Sequence, residues 1–274
     1  MGDSMTKNIP AGAVDCHAHV TQADASGPQG PNAAHSGNHS VEAYLDVLDG
    51  GGISRGVLTA PSFYGTDNSL LLSALARSGG RLRGTATVAP SIDAAALGQM
   101  HDLGVDGIRL NYIGRKEFID LSTPDYQRLF SLLCDLDMHV ELWIYSETLP
   151  QVAPHLQKSR VKVVLDHFGG PQPKDGTGAG DVSPILELLA QGRTWVKLSA
   201  PFRQRGVHLQ PCVDAFLDAG GEERLVWASD WPFVRFEDSV TYAQCIDWLF
   251  EWIPDERIRN RILVENPKSL FGFS

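Results

Sequence analysis

Short apolar segments alternate with longer segments of mixed character along nearly the whole chain. The short segments are rich in β-branched residues and are bounded by Gly, Pro and Asn, which is typical of buried strands. The longer segments place apolar residues three or four positions apart, which is typical of helices packed on one face. This pattern predicts eight strands: Ala13–Cys16, Ser54–Thr59, Arg83–Val88, Gly107–Leu110, His139–Ile144, Val161–Leu165, Thr194–Leu198 and Leu225–Trp227.

A helix is predicted after each strand, and one more near the end of the chain. These helices lie near Val41–Leu48, Asn68–Ser78, Asp93–Leu103, Pro124–Leu136, Leu149–Leu156, Pro184–Ala190, Val207–Ala219, Ser239–Trp252 and Glu256–Leu263. Several strands, such as the VKVVLD segment at 161–166, are apolar on both faces and therefore need cover on both sides, as parallel sheets provide. Eight such units favour an α/β fold, a single (β/α)8 TIM barrel over residues 1–274 with a flexible segment 1–10. An open, doubly wound sheet is the alternative.

The amino-acid composition limits the kinds of molecule that this protein is expected to bind. The 274 residues include 33 acidic and 23 basic side chains, which gives a formal net charge of −10. Such a surface does not suit a phosphate backbone or an anionic membrane, so we expect neither nucleic acid nor membrane as a partner. The absence of an apolar run near the roughly 18 residues of a membrane span, and of a signal-like start, favours a cytoplasmic protein. A homo-oligomer remains possible on sequence grounds.

Polar side chains follow three of the predicted strands at their carboxyl ends, where a TIM barrel builds its active site. His17 and His19 are two positions apart at the first strand, so both imidazoles should face one side. His167 follows the sixth strand and Asp230 the eighth, and these strand ends lie close together in a ring of eight. The four side chains could hold one divalent metal ion of the zinc or manganese type. They could equally place a carboxylate base beside imidazoles without a metal.

Arginines near the same barrel mouth predict an anionic small-molecule substrate. Arg109 lies inside an apolar strand, where an unpaired charge is costly, and Asn111 and Arg115 follow it. Arg203 follows the seventh strand. Because a guanidinium group binds carboxylates with two parallel hydrogen bonds, these residues are candidates for substrate binding, although Arg115 and Arg203 could also be solvated loop charges.

Further candidates lie after the second and fifth strands. Ser62 could bind a substrate oxygen, and Trp143 and Tyr145 could form an aromatic wall. Glu141 shares the expected face of Trp143 and is a second candidate carboxylate. The alternative for Glu141 is a buried ion pair inside the barrel.

Six motifs, taken together, resemble the amidohydrolase superfamily. They occur in the order VDCHAHV, PSFYGTDN, GIRLNYIGR, LDHFGG, VKLSAPFR and ASDWPF, and the similarity extends from Val14 to Phe273. They most resemble the branch that contains 2-pyrone-4,6-dicarboxylate lactonase and the sugar and muconolactone lactonases. The resemblance implies catabolism of aromatic compounds.

The resemblance also implies roles for individual residues. Asp230 would activate water, and the histidines at 17, 19 and 167 would surround the scissile carbonyl, with or without a metal. Arg109 and Arg115 match an R-x5-R motif that binds substrate carboxylates. The chain departs from the branch at Gly170, where an arginine is expected, and near Trp143, where a tyrosine is expected.

Two enzymatic hypotheses and one non-enzymatic hypothesis follow. The first is a hydrolase that opens a lactone or related cyclic ester of a carboxylate-bearing small molecule, with Asp230 activating water. The alternative is a metal-dependent, non-oxidative decarboxylase of an aromatic or muconate-type acid, in which the metal would chelate the substrate carboxylate. The third is a binding protein built on a barrel that has lost its activity.

Overall fold

Eight parallel strands form the centre of the molecule. The computed structural model describes residues 7–23, 37–173, 178 and 180–273. The strands pair side by side in chain order, as a TIM barrel requires, so the predicted barrel is confirmed and the open sheet is wrong. They are β1 (Val14–Ala18), β2 (Arg55–Thr59), β3 (Leu82–Ala86), β4 (Val105–Asn111), β5 (His139–Trp143), β6 (Lys162–Leu165), β7 (Thr194–Leu198) and β8 (Leu225–Trp227).

Ten helices accompany the strands in the described part of the chain, one after each strand and two at the end. They are α1 (Val41–Gly50), α2 (Ser69–Arg77), α3 (Ala94–Asp102), α4 (Pro124–Asp135), α5 (Leu149–Ser159), α6 (Ser183–Leu189), α7 (Gln210–Asp218), α8 (Tyr242–Trp252), α9 (Glu256–Asn260) and α10 (Asn266–Phe271). None of the helices described here is long and apolar enough to cross a bilayer.

Several predicted helix boundaries differ from the structure. α7 begins at Gln210 rather than Val207, and α5 extends to Ser159 rather than Leu156. α8 begins at Tyr242 rather than Ser239, because Thr241 and Gln244 form a reciprocal capping box at its start. The predicted tail helix, Glu256–Leu263, is α-helical only as far as Asn260. The chain then forms a π-helical turn at Arg261–Glu265 before α10 begins. Of the predicted flexible segment 1–10, residues 1–6 lie outside the described residues.

The amino-terminal end of the barrel is filled by apolar side chains. Val14, Val57 and Val226 belong to one buried cluster, although they come from β1, β2 and β8. Phe271 and Phe273 belong to the same cluster, so the end of the chain closes this side of the barrel. Among the described residues, the histidines and carboxylates that follow β1, β6 and β8 lie at the opposite, carboxyl-terminal end, whereas His139 at the start of β5 packs against Phe271.

A β-bulge in β1 directs His17 into the barrel. The register against β2 shifts between Asp15 and Ala18. Cys16 packs in the interior apolar cluster, while the next side chain, His17, contacts Lys197 of β7 across the barrel. Two successive side chains can face the same side only where the pleat is interrupted, which a bulge does.

The ring closes between β1 and β8 with few backbone hydrogen bonds. The His19 amide donates to the Trp231 carbonyl at 2.8 Å, and the Asp230 amide donates to the His17 carbonyl at 2.9 Å. The carboxylate of Asp15 supplies further bonds at this seam. It accepts from the amide and the hydroxyl of Ser229, at 2.9 and 2.5 Å.

Removing the carboxylate of Asp15 should destabilise the fold. Asp15→Ala leaves the buried Ser229 amide and the Tyr242 hydroxyl, which donates to Asp15 at 3.1 Å, without this acceptor. Each buried group left unsatisfied costs about 1–3 kcal/mol, so we expect a loss of at least ~2 kcal/mol in the free energy of unfolding, measured with urea. Glu117→Ala, at an exposed position, is the control and should change it by less than ~0.5 kcal/mol. Equal stability of the two variants would contradict the role of the seam.

Candidate active site

Asp230 lies just beyond β8, and three imidazoles face its carboxylate. Oδ2 accepts a hydrogen bond from Arg203 Nε at 2.6 Å. Oδ1 is buried and has no hydrogen-bond partner among the described residues. It lies 3.7, 3.5 and 4.0 Å from the Nε2 atoms of His17, His19 and His167. Burial by itself would raise the pKa of Asp230, but the charge of Arg203 holds that pKa well below its usual value, so the carboxylate is ionised at neutral pH.

The imidazoles are oriented from behind by neighbouring strands. His19 Nδ1 donates to the Thr59 carbonyl at 2.7 Å, and His167 Nδ1 is 2.8 Å from Ser199 Oγ. Burial lowers the pKa of His17 to about 4, with a further contribution from a nearby lysine. Burial also lowers the pKa of His167 to about 3. Both rings are therefore neutral at pH 7.

A layer of paired charges lies beneath the imidazoles. Lys197 Nζ is 2.5 Å from Glu141 Oε2 and 3.2 Å from Asp166 Oδ1. Arg109 donates to Asp166 Oδ2 through Nε and Nη2, at 3.1 and 2.9 Å. Burial and the Asp166 charge would raise the pKa of Glu141, yet the Lys197 ammonium holds it at about 2. Glu141 therefore belongs to a buried ion pair, the second of the two possibilities that its sequence position allowed.

A cavity of about 460 Å³ opens above this site. Its floor includes Asp230 and His167, and its walls carry most of the predicted substrate-binding residues: Arg109, Arg115, Arg203, Ser62, Asn111 and Trp143. Trp143 lies edge to face with His167, with ring centroids 4.6 Å apart. Arg203 is held between Phe202 and Phe236, its guanidinium carbon 5.3 and 5.6 Å from their ring centres.

Tyr145 and His17 are outside the cavity walls. Tyr145 is exposed and packs beside Trp143 at a centroid distance of 6.3 Å, so the structure does not bring it to the site. His17 is fully buried and reaches the site from below.

The position of Gly170 explains one departure from the lactonase branch. Its φ is +62°, and a Cβ atom there would lie 2.2 Å from the Ile144 carbonyl oxygen. An arginine therefore does not fit at this position without movement of the backbone. The cavity instead has an arginine in the loop after β8, Arg235, which the sequence analysis did not select.

Other functional candidates were also missed. The predicted site residues do not include Lys197, Ser199 or Thr59, which lie in or next to predicted strands. A signal was present for Lys197, because a lysine within the apolar strand WVKL must be paired when it is buried. Nothing in the sequence marks Thr59, whose contribution is a backbone carbonyl.

By distance alone, two sets of side chains could hold a divalent ion. They are His17, His19 and Asp230, and His17, Asp166 and His167, with the ligand atoms of each set within 4.8 Å of one another. A histidine that binds metal through Nε2 donates its Nδ1 proton to an acceptor, as His19 does to a carbonyl. Around Nδ1 of His17, which is common to both sets, lie the Lys197 ammonium group at 2.9 Å and Asp166 Oδ1 at 3.1 Å. Because the nearer of these two groups can only donate a hydrogen bond, the surroundings of His17 disfavour a metal ion at its Nε2.

The pKa values predict a loss of stability in mild acid. The unfolded chain protonates its histidines near pH 6.5, whereas folded His17 and His167 resist protonation until about pH 4 and about pH 3. Asp15, whose pKa burial raises to about 6, acts in the opposite direction. Near pH 5 the unfolded state thus binds about one more proton in total, so the free energy of unfolding should fall by about 1.4 kcal/mol per pH unit.

Urea unfolding at pH 7, 6 and 5 measures this slope. His167→Gln removes one of the two histidines and should flatten the slope between pH 6 and 5. A steeper fall in the variant than in the wild type would contradict the assignment of neutral, buried imidazoles.

Two named proteins are similar in sequence to this chain over nearly its whole length. The chain is 29% identical over 273 residues to a 4-sulfomuconolactone hydrolase from Hydrogenophaga intermedia, covering 96% of this chain and 90% of that protein. It is 28% identical over 284 residues to a 2-pyrone-4,6-dicarboxylate hydrolase from Comamonas testosteroni, covering 96% and 91%.

A solved structure has the same fold as this chain. It belongs to a Pseudomonas putida protein assigned as a 2-pyrone-4,6-dicarboxylic acid hydrolase, and superposes with a TM-score of 0.88 at 32% identity over 97% of this chain and 99% of that chain. The family described as amidohydrolase matches residues 14–273. The chain is therefore a member of the amidohydrolase family.

Proposed function

We propose that this protein hydrolyses a lactone, or a related cyclic ester, of a small molecule that carries a carboxylate or similar anionic group. The observation that supports this most directly is the geometry of Asp230 Oδ1. It is a buried, ionised oxygen without a hydrogen-bond partner among the described residues, and it faces three imidazoles at the floor of an arginine-lined cavity. Such an oxygen is suited to take a proton from water.

The first step is attack on the ring carbonyl. Asp230 accepts a proton from a water molecule, and the resulting hydroxide adds to the carbonyl carbon of the lactone. Negative charge develops on the carbonyl oxygen, in the space that His17, His19 and His167 surround. His19 already donates its Nδ1 proton to the Thr59 carbonyl, so His17 and His167 are the rings that would donate to this oxygen. Hydrogen-bond donors fixed before the reaction stabilise this charge most effectively, because no reorganisation is needed when it forms.

The second step opens the ring. The tetrahedral intermediate collapses, the ring C–O bond breaks, and Asp230 returns its proton to the leaving alkoxide or enolate. A carboxylate held well below its usual pKa by Arg203 is a weak base. The hydrogen bonds to the developing oxyanion must therefore supply a large share of the rate.

Arginines would recognise the anionic part of the substrate. Arg109 and Arg203 are already paired with the carboxylates of Asp166 and Asp230. Arg115 and Arg235 are exposed and line the same cavity, so they add positive charge where a substrate anion would enter. The names of the two relatives, 4-sulfomuconolactone hydrolase and 2-pyrone-4,6-dicarboxylate hydrolase, also indicate lactones with anionic groups.

Metal-dependent decarboxylation receives less support. It requires a metal ion that chelates the substrate carboxylate, and the ammonium group next to His17 Nδ1 disfavours a metal ligand at that ring. A panel of lactones and aromatic acids, assayed for ring opening and for carbon dioxide release, separates the two reactions.

Asp230→Asn should abolish most of the activity. The amide cannot accept the proton of water, so kcat for an accepted lactone should fall about 10²- to 10⁴-fold while KM changes little. Steady-state kinetics on the lactone panel measures both constants. Asp102→Asn, at an exposed position of α3, is the control and should keep wild-type kinetics. Unchanged kcat in Asp230→Asn would refute the proposed base.

Arg115→Gln should weaken binding rather than chemistry. A charge-assisted hydrogen bond is worth about 1.5–3 kcal/mol, so KM for an anionic lactone should rise roughly 10-fold or more, with kcat nearly unchanged. The neighbouring Lys116→Gln is the matched control, because Lys116 does not line the cavity. A neutral lactone should be insensitive to both changes, and an equal rise in KM for neutral and anionic lactones would contradict anion recognition by Arg115.

A further inference from the structure

A lysine with no exposed surface lies directly behind the imidazoles. Lys197 projects from β7 to the centre of the barrel and is fully buried. Its Nζ is hydrogen-bonded to Glu141 Oε2 at 2.5 Å and to His17 Nδ1 at 2.9 Å. Burial opposes the charge on Lys197, but the Glu141 and Asp166 carboxylates outweigh burial and raise its pKa, so the group is an ammonium ion.

The contact with His17 has only one chemical interpretation. An ammonium group donates hydrogen bonds and cannot accept them. In the Lys197–His17 contact the ring nitrogen Nδ1 must therefore be the acceptor. Since Nδ1 accepts this hydrogen bond and carries no proton, the proton of the ring lies on Nε2, the atom that faces His19 and Asp230.

In the alternative arrangement, His17 Nδ1 would carry the proton and donate it to Asp166, but the contact distances favour Lys197 as the partner. Asp166 Oδ1 is 3.1 Å from His17 Nδ1 and would accept a proton placed there. That oxygen nevertheless makes no hydrogen bond to the described residues, whereas Lys197 Nζ is closer to the same ring nitrogen, at 2.9 Å. Asp166 acts on His17 by charge, while the hydrogen bond comes from Lys197.

The same assignment is consistent with the next ring. His19 Nδ1 must donate to the Thr59 carbonyl, which leaves Nε2 of His19 as an acceptor. His17 Nε2 is 3.2 Å from this atom and supplies the proton. One directed series of hydrogen bonds thus leads from Lys197 through both imidazoles to the backbone of β2.

We propose that Lys197 is a positioning residue that fixes His17 as the Nε2–H tautomer, so that His17 presents a hydrogen-bond donor to the reacting carbonyl oxygen. The catalytic consequence rests on the lactone hydrolysis proposed above, but the tautomer itself does not. A carbonyl oxygen that enters between the imidazoles takes over the hydrogen bond that His17 otherwise gives to His19. The same proton occupies the lone pair that a metal ion would need.

Nitrogen-15 NMR of the wild-type protein with labelled histidines tests the tautomer directly. Two-bond couplings between ring nitrogens and carbon-bound protons identify which nitrogen carries the proton, and the spectrum of His17→Gln assigns the signals. We expect the Nε2–H form for His17 and the Nδ1–H form for His19 at pH 7. An Nδ1–H form for His17 would overturn the proposal, whether or not the protein hydrolyses lactones.

A double variant tests the role of Lys197. Lys197→Met with Glu141→Gln removes the ammonium and one carboxylate together, so no net charge is left in the barrel. We expect His17 to populate the Nδ1–H form, and titration calorimetry with Zn²⁺ on chelator-treated protein to show at least tenfold tighter binding than in the wild type. Retention of the Nε2–H form in a folded double variant would overturn the role of Lys197.

Thr59→Val is the matched control for a general disturbance of the layer of paired charges beneath the imidazoles. It removes the hydrogen bond from Thr59 Oγ1 to Glu141 Oε1 at 3.2 Å but leaves Lys197, His17 and the Thr59 carbonyl in place. The His17 tautomer should be unchanged in this variant. A shift of His17 to the Nδ1–H form in Thr59→Val would show that general disturbance of the cluster, rather than Lys197, controls the proton, and would also overturn the proposal. If the double variant does not fold, the wild-type spectrum alone decides.

Discussion

The ion pairs around one buried ammonium group determine how the site is built. Two buried cations, Lys197 and Arg109, are balanced by the carboxylates of Glu141 and Asp166, which come from β5 and the end of β6. Removing charges from water is expensive, and only close pairing with further hydrogen bonds offsets that cost. The cluster therefore fixes the strands that contribute to it at a defined spacing, and the imidazoles rest upon it in one orientation.

The closure of the barrel is the second constraint on the site. His17 and His19 come from the first strand, whereas Asp230 follows the last, so the functional groups meet only if the ring closes. At that seam the backbone bonds are few, and the Asp15 carboxylate joins the two strand ends. Stability and geometry of the site thus depend on the same residue, which does not touch the cavity.

The barrel could be predicted from the sequence because the spacing of apolar residues and the turn residues recur in eight units. Such patterns depend on neighbouring residues in the chain rather than on distant contacts. The sequence also predicted the convergence of His17, His19, His167 and Asp230, since strand ends of a closed ring share one face. A buried ion pair at Glu141 was one of two predicted alternatives, but its partner Lys197 could not be predicted, because the two side chains meet across the barrel rather than along one strand. Helix starts such as that of α8 were misplaced because capping by Thr241 and Gln244 is decided by individual hydrogen bonds.

The crowding at Gly170 restricts how this protein could have evolved. Any side chain at that position meets a neighbouring carbonyl oxygen, so an arginine there would require the backbone to move as well. A cation in another loop at the barrel mouth, such as Arg235, needs no such movement. Ligand preference among such barrels can therefore diverge through loop residues while the floor of the cavity stays constant.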